Sequence, residues 1–100
     1  MKLILSVVDG PHVGKEYTFE TRDSFLVGRG EDAHFKLSND DPYFSRRHFV
    51  VEINPPRCRV LDLKSRNGTL LKGARIDRAV LKANDQIQLG STKITLVESV

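Results

Sequence analysis

Hydrophobic and polar positions alternate along most of this chain, and turn-forming residues cut the alternation at short intervals. An apolar run at 3–8 is stopped by Asp9-Gly10-Pro11, and 15–19 alternates with Tyr17 and Phe19 on one side. The run at 24–27 ends at Gly28-Arg29-Gly30, and the short run at 35–37 ends in the turn-rich Ser38-Asn39-Asp40-Asp41-Pro42. Residues 48–53 place Phe49, Val51 and Ile53 on one face, Asn54-Pro55-Pro56 interrupts, and 58–63 follows. Runs at 69–71, 86–89 and 93–97 complete the set. A period of two marks a half-buried strand, and Gly, Pro, Asn and Asp mark its ends. Many short strands at this spacing predict an all-β sandwich.

One segment fits two descriptions. In 74–83, Ile76, Val80 and Leu81 share a face of a helix, so periodicity alone leaves helix and strand equally open there.

Length and composition narrow the picture. One hundred residues correspond to one domain, 1–100, with an expected radius of gyration of roughly 13 Å. No apolar run approaches the roughly 18 residues a membrane-spanning helix needs. The lone cysteine, Cys58, excludes an intrachain disulfide and a cysteine-based metal site. It alternates with polar neighbours and is expected as a small buried hydrophobe in a protein of a reducing, cytoplasmic compartment.

The net charge of +3 is unevenly placed: residues 1–44 balance at −3, 45–78 at +6 and 79–100 at zero. Seven of the nine cations in the middle segment are arginine. Arginine grips phosphate and carboxylate through a planar fork, which lysine cannot do. The segment is therefore either a surface for an anionic partner or a solvated basic face. Nucleic acid is a poor fit for that partner. Single strands need aromatics among the basic residues, and the only aromatic in 45–78 is Phe49, which alternation sends to the core.

The turns carry the candidate chemistry. Gly28-Arg29-Gly30 ends one strand, Ser45-Arg46-Arg47-His48 leads into another, and Lys64-Ser65-Arg66-Asn67-Gly68-Thr69 joins two more. Loops of a sandwich gather at its two ends, so such turns can share one edge. A guanidinium, a hydroxyl and exposed turn amides are the parts a phosphate site needs. Asn67-Gly68 signals a tight turn, since both residue types tolerate positive φ. Ser45, His48 and Asp62 have the composition of a hydrolytic triad, but Ser45 and His48 lie three apart on a turn entering a strand, and no nucleophile elbow or P-loop accompanies them. Asp62 is expected to hold the turn before Ser65. Arg57 and Arg59 belong to a solvated face, Arg47 is also expected to be solvated, and His12 and His34 lack a second ligand at metal spacing.

Three pieces resemble a forkhead-associated (FHA) domain in their order and spacing. They are Phe25-Leu26-Val27-Gly28-Arg29, Ser45-Arg46-Arg47-His48 and Asp62-Leu63-Lys64-Ser65-Arg66-Asn67-Gly68-Thr69. A fourth, Leu81-Lys82-Ala83-Asn84-Asp85-Gln86-Ile87-Gln88-Leu89-Gly90, resembles that family's last hairpin. The resemblance implies an eleven-stranded, antiparallel-rich β-sandwich (FHA/SMAD-like) with ligand loops at one end, and it replaces the helix option at 74–83 by loop and short strands. It implies a non-catalytic module that binds phosphothreonine peptides in signalling. Arg29 would clamp the phosphate, and Ser45 would donate its hydroxyl to it. Arg46 and Arg66 would reach the phosphate region, and Asn67 would hold the peptide backbone. Gly28, His48 and Gly68 would shape the turns. Arg66 stands where the family commonly has threonine, and Asn84-Asp85 where it has Gly-Asp. Tyr43 and Lys64 are candidates for reading residues beyond the phosphothreonine. The implied partner is a phosphothreonine-containing protein, such as a Ser/Thr kinase or its substrate. No cofactor, metal, nucleic acid or membrane is implied.

Overall fold

The computed structural model describes residues 2–38 and 43–99. Eleven strands run through them: β1 (Lys2–Asp9), β2 (Glu16–Phe19), β3 (Asp23–Gly28), β4 (Phe35–Lys36), β5 (Phe49–Asn54), β6 (Arg57–Asp62), β7 (Thr69–Leu71), β8 (Ala74–Ile76), β9 (Arg78–Val80), β10 (Gln86–Leu89) and β11 (Thr92–Ser99). The turn expected at 38–42 lies, for 39–42, outside the described residues.

The strands form two sheets. The first has the order β2-β1-β11-β10-β7-β8, and the second β4-β3-β5-β6-β9. Among the described residues neighbouring strands pair antiparallel except β3 with β4, where Val27 aligns with Phe35 in parallel. Inward positions follow the predicted alternation. Phe49, Val51 and Ile53 of β5 are buried, as are Leu3, Leu5 and Val7 of β1, Val27 of β3, Val60 of β6, Ile87 and Leu89 of β10, and Ile94 and Leu96 of β11. Each such side chain contributes about 1.5–3 kcal/mol by leaving water. Cys58 also faces inward, and burial pushes its thiol up to about 12. The radius of gyration is 12.3 Å, close to the value expected for one domain of this length.

The segment 74–83 is not helical. It divides between the sheets, with β8 pairing β7 and β9 pairing β6. A helix would leave the outer edges of β6 and β7 without partners, and two short strands satisfy both. Ile76 and Ala79 then pack against the core.

Strand direction places the functional turns. β5 and β6 are consecutive antiparallel strands, with Phe49 opposite Asp62. The entry to β5 and the exit of β6 therefore lie at the same end. β3 is antiparallel to β5, with Val27 opposite Phe49, so β3 also ends there.

Candidate functional site

Three turns meet at this end of the sandwich: 28–30, 43–48 and 63–68. They are tied by hydrogen bonds between turns. Backbone N–H groups of Arg29 and Gly30 donate to the carbonyls of Ser45 (3.1 Å) and Arg46 (3.0 Å). The backbone N–H of Arg66 donates to Ser45 Oγ at 2.9 Å, and Asn67 Nδ2 donates to the Tyr43 carbonyl at 2.8 Å. All five expected ligand residues, Arg29, Ser45, Arg46, Arg66 and Asn67, thus sit on one connected surface.

The chemistry of each group follows from which of its atoms are already used. Arg29 Nε donates to the Phe44 carbonyl at 2.6 Å. That bond fixes the guanidinium plane and leaves its terminal NH2 groups to donate elsewhere. Ser45 Oγ accepts from Arg66, which leaves the hydroxyl proton available to donate. The Arg46 and Arg66 side chains are exposed. Arg47 is committed to Asp32, at 2.6 Å, in line with its expected solvated role.

The turns owe their shape to buried supports. Gly28 lies under the backbone of residue 46, where an added Cβ would stand 2.0 Å from the Arg46 carbonyl oxygen. His48 is fully buried. Its Nδ1 accepts the Ser45 backbone N–H at 3.2 Å, and its Nε2 bonds the Gly68 carbonyl at 2.9 Å, so one ring braces two of the turns. Burial holds its pKa below the ordinary value, outweighing the Gly68 carbonyl and the Asp62 carboxylate, which both act to raise it. Asp62 accepts from the backbone N–H and hydroxyl of Ser65 and from the Thr69 hydroxyl. Burial pushes the Asp62 pKa up, but these hydrogen bonds outweigh it and leave the carboxyl lowered.

This arrangement is not a charge relay. His48 Nδ1 takes the backbone N–H of Ser45, not its hydroxyl, and Asp62 is spent on Ser65 and Thr69. Among the described residues there is no cluster of three or more metal-ligating side chains. The 63–68 turn departs from its expectation in one detail. Gly68 has a φ of +86°, but the other positive φ falls on Lys64 (55°) rather than on Asn67. The chain here crosses from one sheet to the other, so it is not a hairpin turn.

Sequence patterning missed one contributor. Arg75, on β8, donates from Nη2 to the Ser65 carbonyl at 3.2 Å, and its Nε lies 2.7 Å from where a Cβ on Gly68 would be. The signal was its place in the basic middle segment, but only the β7–β8 pairing brings it beneath the turn. A groove of about 760 Å³ lies at the opposite end beside the β5–β6 turn, and none of the expected ligand residues lines it.

The FHA domain family model matches residues 25–90. The chain is 35% identical over 82 residues to the FHA domain-containing protein FhaA of Mycobacterium tuberculosis, covering 81% of this chain and 15% of that protein. The crystal structure of the FHA domain of the CT664 protein of Chlamydia trachomatis superimposes with a TM-score of 0.90 at 28% identity, over the full length of both chains. An FHA domain structure determined in a study of phosphothreonine-dependent interactions superimposes with a TM-score of 0.85 at 31% identity, covering 100% of this chain and 99% of that one. The chain belongs to the FHA domain family. It spans between 15% and 64% of the length of the curated relatives compared with it.

Proposed function

We propose that this chain is a single FHA module, 1–100, which binds phosphothreonine peptides, mediates phosphorylation-dependent protein–protein interaction in signalling and catalyses no reaction. The observation that carries the reading is the joining of three turns into one surface, on which the Arg29 guanidinium is aimed by Phe44 and the Ser45 hydroxyl is left free to donate. The likeness to a structure studied for phosphothreonine-dependent interactions supports it. Arg29 clamps two phosphate oxygens through its fork, Ser45 donates to a third, and Arg46 and Arg66 add positive charge. Asn67 holds the peptide backbone with the amide atoms not spent on Tyr43. Three charge-assisted bonds supply a gross of roughly 5–9 kcal/mol, several of which association entropy removes. The result is modest affinity, which suits a reversible switch. The partner is a phosphothreonine-bearing protein, such as a Ser/Thr kinase or its substrate, and the place of action is the cytoplasm, in keeping with a single buried thiol.

Calorimetry tests the reading with one peptide in three forms. Binding is expected for phosphothreonine, weaker binding for phosphoserine and none for threonine. The threonine methyl adds ~0.8 kcal/mol on burial, and backbone preference for the β-branched residue adds to it. Arg29→Ala is expected to abolish binding while the thermal transition remains cooperative. An Arg29→Ala protein that binds with unchanged affinity would remove Arg29 as the clamp.

A further inference from the structure

The groove at the far end of the sandwich is lined from β3, β5, β6, β9 and the turn before β3, so it runs across the strands of the second sheet rather than along them. Strand register arranges its walls. Glu52, Arg59 and Val80 align in one row across three strands, and Asn54 aligns with Arg57 two residues further on. Arg22 precedes Asp23, the partner of Ile53, and so stands at the β3 end of the second row. Between the rows lie Ile53 and Cys58, whose side chains are buried in the core, so backbone forms the floor. The two walls differ in chemistry. In the first, Arg59 Nε donates to Glu52 at 2.8 Å, which neutralises the pair. Val80 ends that row at 65% exposure, the most exposed large hydrophobic among the described residues. In the second, Arg22 and Arg57 flank the uncharged Asn54, and the nearby Asp23 carboxylate accepts the Ser24 backbone N–H at 2.8 Å. The groove thus has a cationic wall, a neutral wall and an apolar end.

We propose that this groove docks an extended, unphosphorylated acidic segment of a second protein. Crossing from β3 to β9 spans three strand spacings, roughly 14 Å, which four residues of extended chain fill. In such a segment residues i and i+2 point to one side and i+3 to the other. Acidic residues at i and i+2 therefore meet the second row, where Arg22 and Arg57 hold their carboxylates through the guanidinium fork. An aliphatic residue at i+3 faces the first row and covers Val80. The order acid, any residue, acid, aliphatic thus follows from the charge and register of the two walls. The groove lies the length of β5, about 20 Å, from the three joined turns, so both ends hold partners at once. The module then links a phosphothreonine protein to one recognised without phosphate, although docking in the groove does not depend on the phosphothreonine reading.

The test is a chemical-shift titration by NMR on the full chain at physiological salt. The probe is a Gly/Ser peptide with Glu-Ser-Glu-Leu at its centre, compared with a Gln-Ser-Gln-Leu version and with one carrying the same four residues shuffled to Leu-Glu-Glu-Ser. Shifts are expected to centre on Asn54, Arg57, Arg59 and Val80. The acidic peptide is expected to bind about tenfold tighter than the Gln version and about threefold tighter than the shuffled one. Arg22→Gln/Arg57→Gln is expected to weaken it about tenfold and Val80→Ser about threefold, while Lys93→Gln, on the other sheet, leaves it unchanged. Saturation with a phosphothreonine peptide is expected to leave the acidic peptide bound. Absence of shifts, shifts centred on the turns at 28–30 and 63–68, equal binding of all three peptides, full affinity in the double variant, or displacement by the phosphothreonine peptide overturns the docking groove. Failure of the phosphothreonine peptide to bind at all overturns the reading of the other end and leaves the groove standing.

Discussion

At the scale of single residues, the three turns spend some polar atoms within the fold and leave others free to bond. Arg29 gives up Nε to Phe44 and keeps its terminal nitrogens, and Ser45 accepts a bond and keeps its proton. His48 is the most exposed to pH of these residues, because its role requires a neutral ring with Nδ1 unprotonated. Its pKa in the fold lies below the ordinary 6.5, chiefly through burial. As pH falls through about 6.5 the unfolded chain takes up the proton first, so stability is full above that value and declines toward the lower folded pKa. His12 is lowered by burial and by Lys15 and adds in the same direction. Urea midpoints are expected to fall between pH 7.5 and 5.5, with the His48 imidazole titrating below 6.5 by NMR. A midpoint that rises on acidification contradicts this account. Arg29, Ser45 and His48 stood out in the sequence because they lie on turns that the strand pattern delimits, and the roles expected of them came from the resemblance to the FHA family. Phe44 was not, because it contributes a backbone carbonyl, which every residue has.

At the scale of elements, the 63–68 turn depends on the strand that precedes it. Asp62 is the last residue of β6, and it gathers Ser65 and Thr69 from the start of the next strand. Asp62→Asn keeps the size but loses the charge on these bonds, and the substitution is expected to cost about 1–3 kcal/mol in chemical denaturation. Phosphopeptide affinity is expected to drop as well, because Arg66 and Asn67 lose their fixed positions. Unchanged stability and affinity would show that the turn holds without Asp62. Its carboxyl is lowered in the fold, so its stabilisation is present above its ordinary value of 3.8 and is lost as pH falls through the lower folded pKa. The segment at 74–83 shows where local pattern runs out. Its periodicity suits a helix as well as strands, and the choice was made by the unpaired edges of β6 and β7, which lie far from it in sequence. The same pairing carries Arg75 to the turn, which explains why no local motif announced it.

At the scale of the whole molecule, one sandwich separates a packed interior from the end where the three turns meet. Cys58 is buried on β6 between the sheets, and its thiol is pushed up to about 12. It is therefore expected to resist alkylation at pH 8 in the native protein and to react only on global unfolding. Modification measured across a urea titration should follow the unfolding curve, and rapid labelling of native protein would contradict the packing described here. The groove beside the β5–β6 turn lies at the other end from the three joined turns, and the proposed ligand residues sit on those loops rather than in that groove.

By itself the sequence determined the strand alternation, the burial of β1, β5 and β11, the turns at 28–30, 45–48 and 63–68, and the residue types that suit phosphate. These are local properties, set by a period of two and by what Gly, Asn and Ser permit. Only the tertiary structure decided that the three turns meet, that 74–83 splits between sheets, that Arg75 reaches Gly68 and that His48 braces Ser45 against the Gly68 carbonyl. Those outcomes depend on pairing between strands distant in the chain, where free energy is gained by satisfying edges and closing the core.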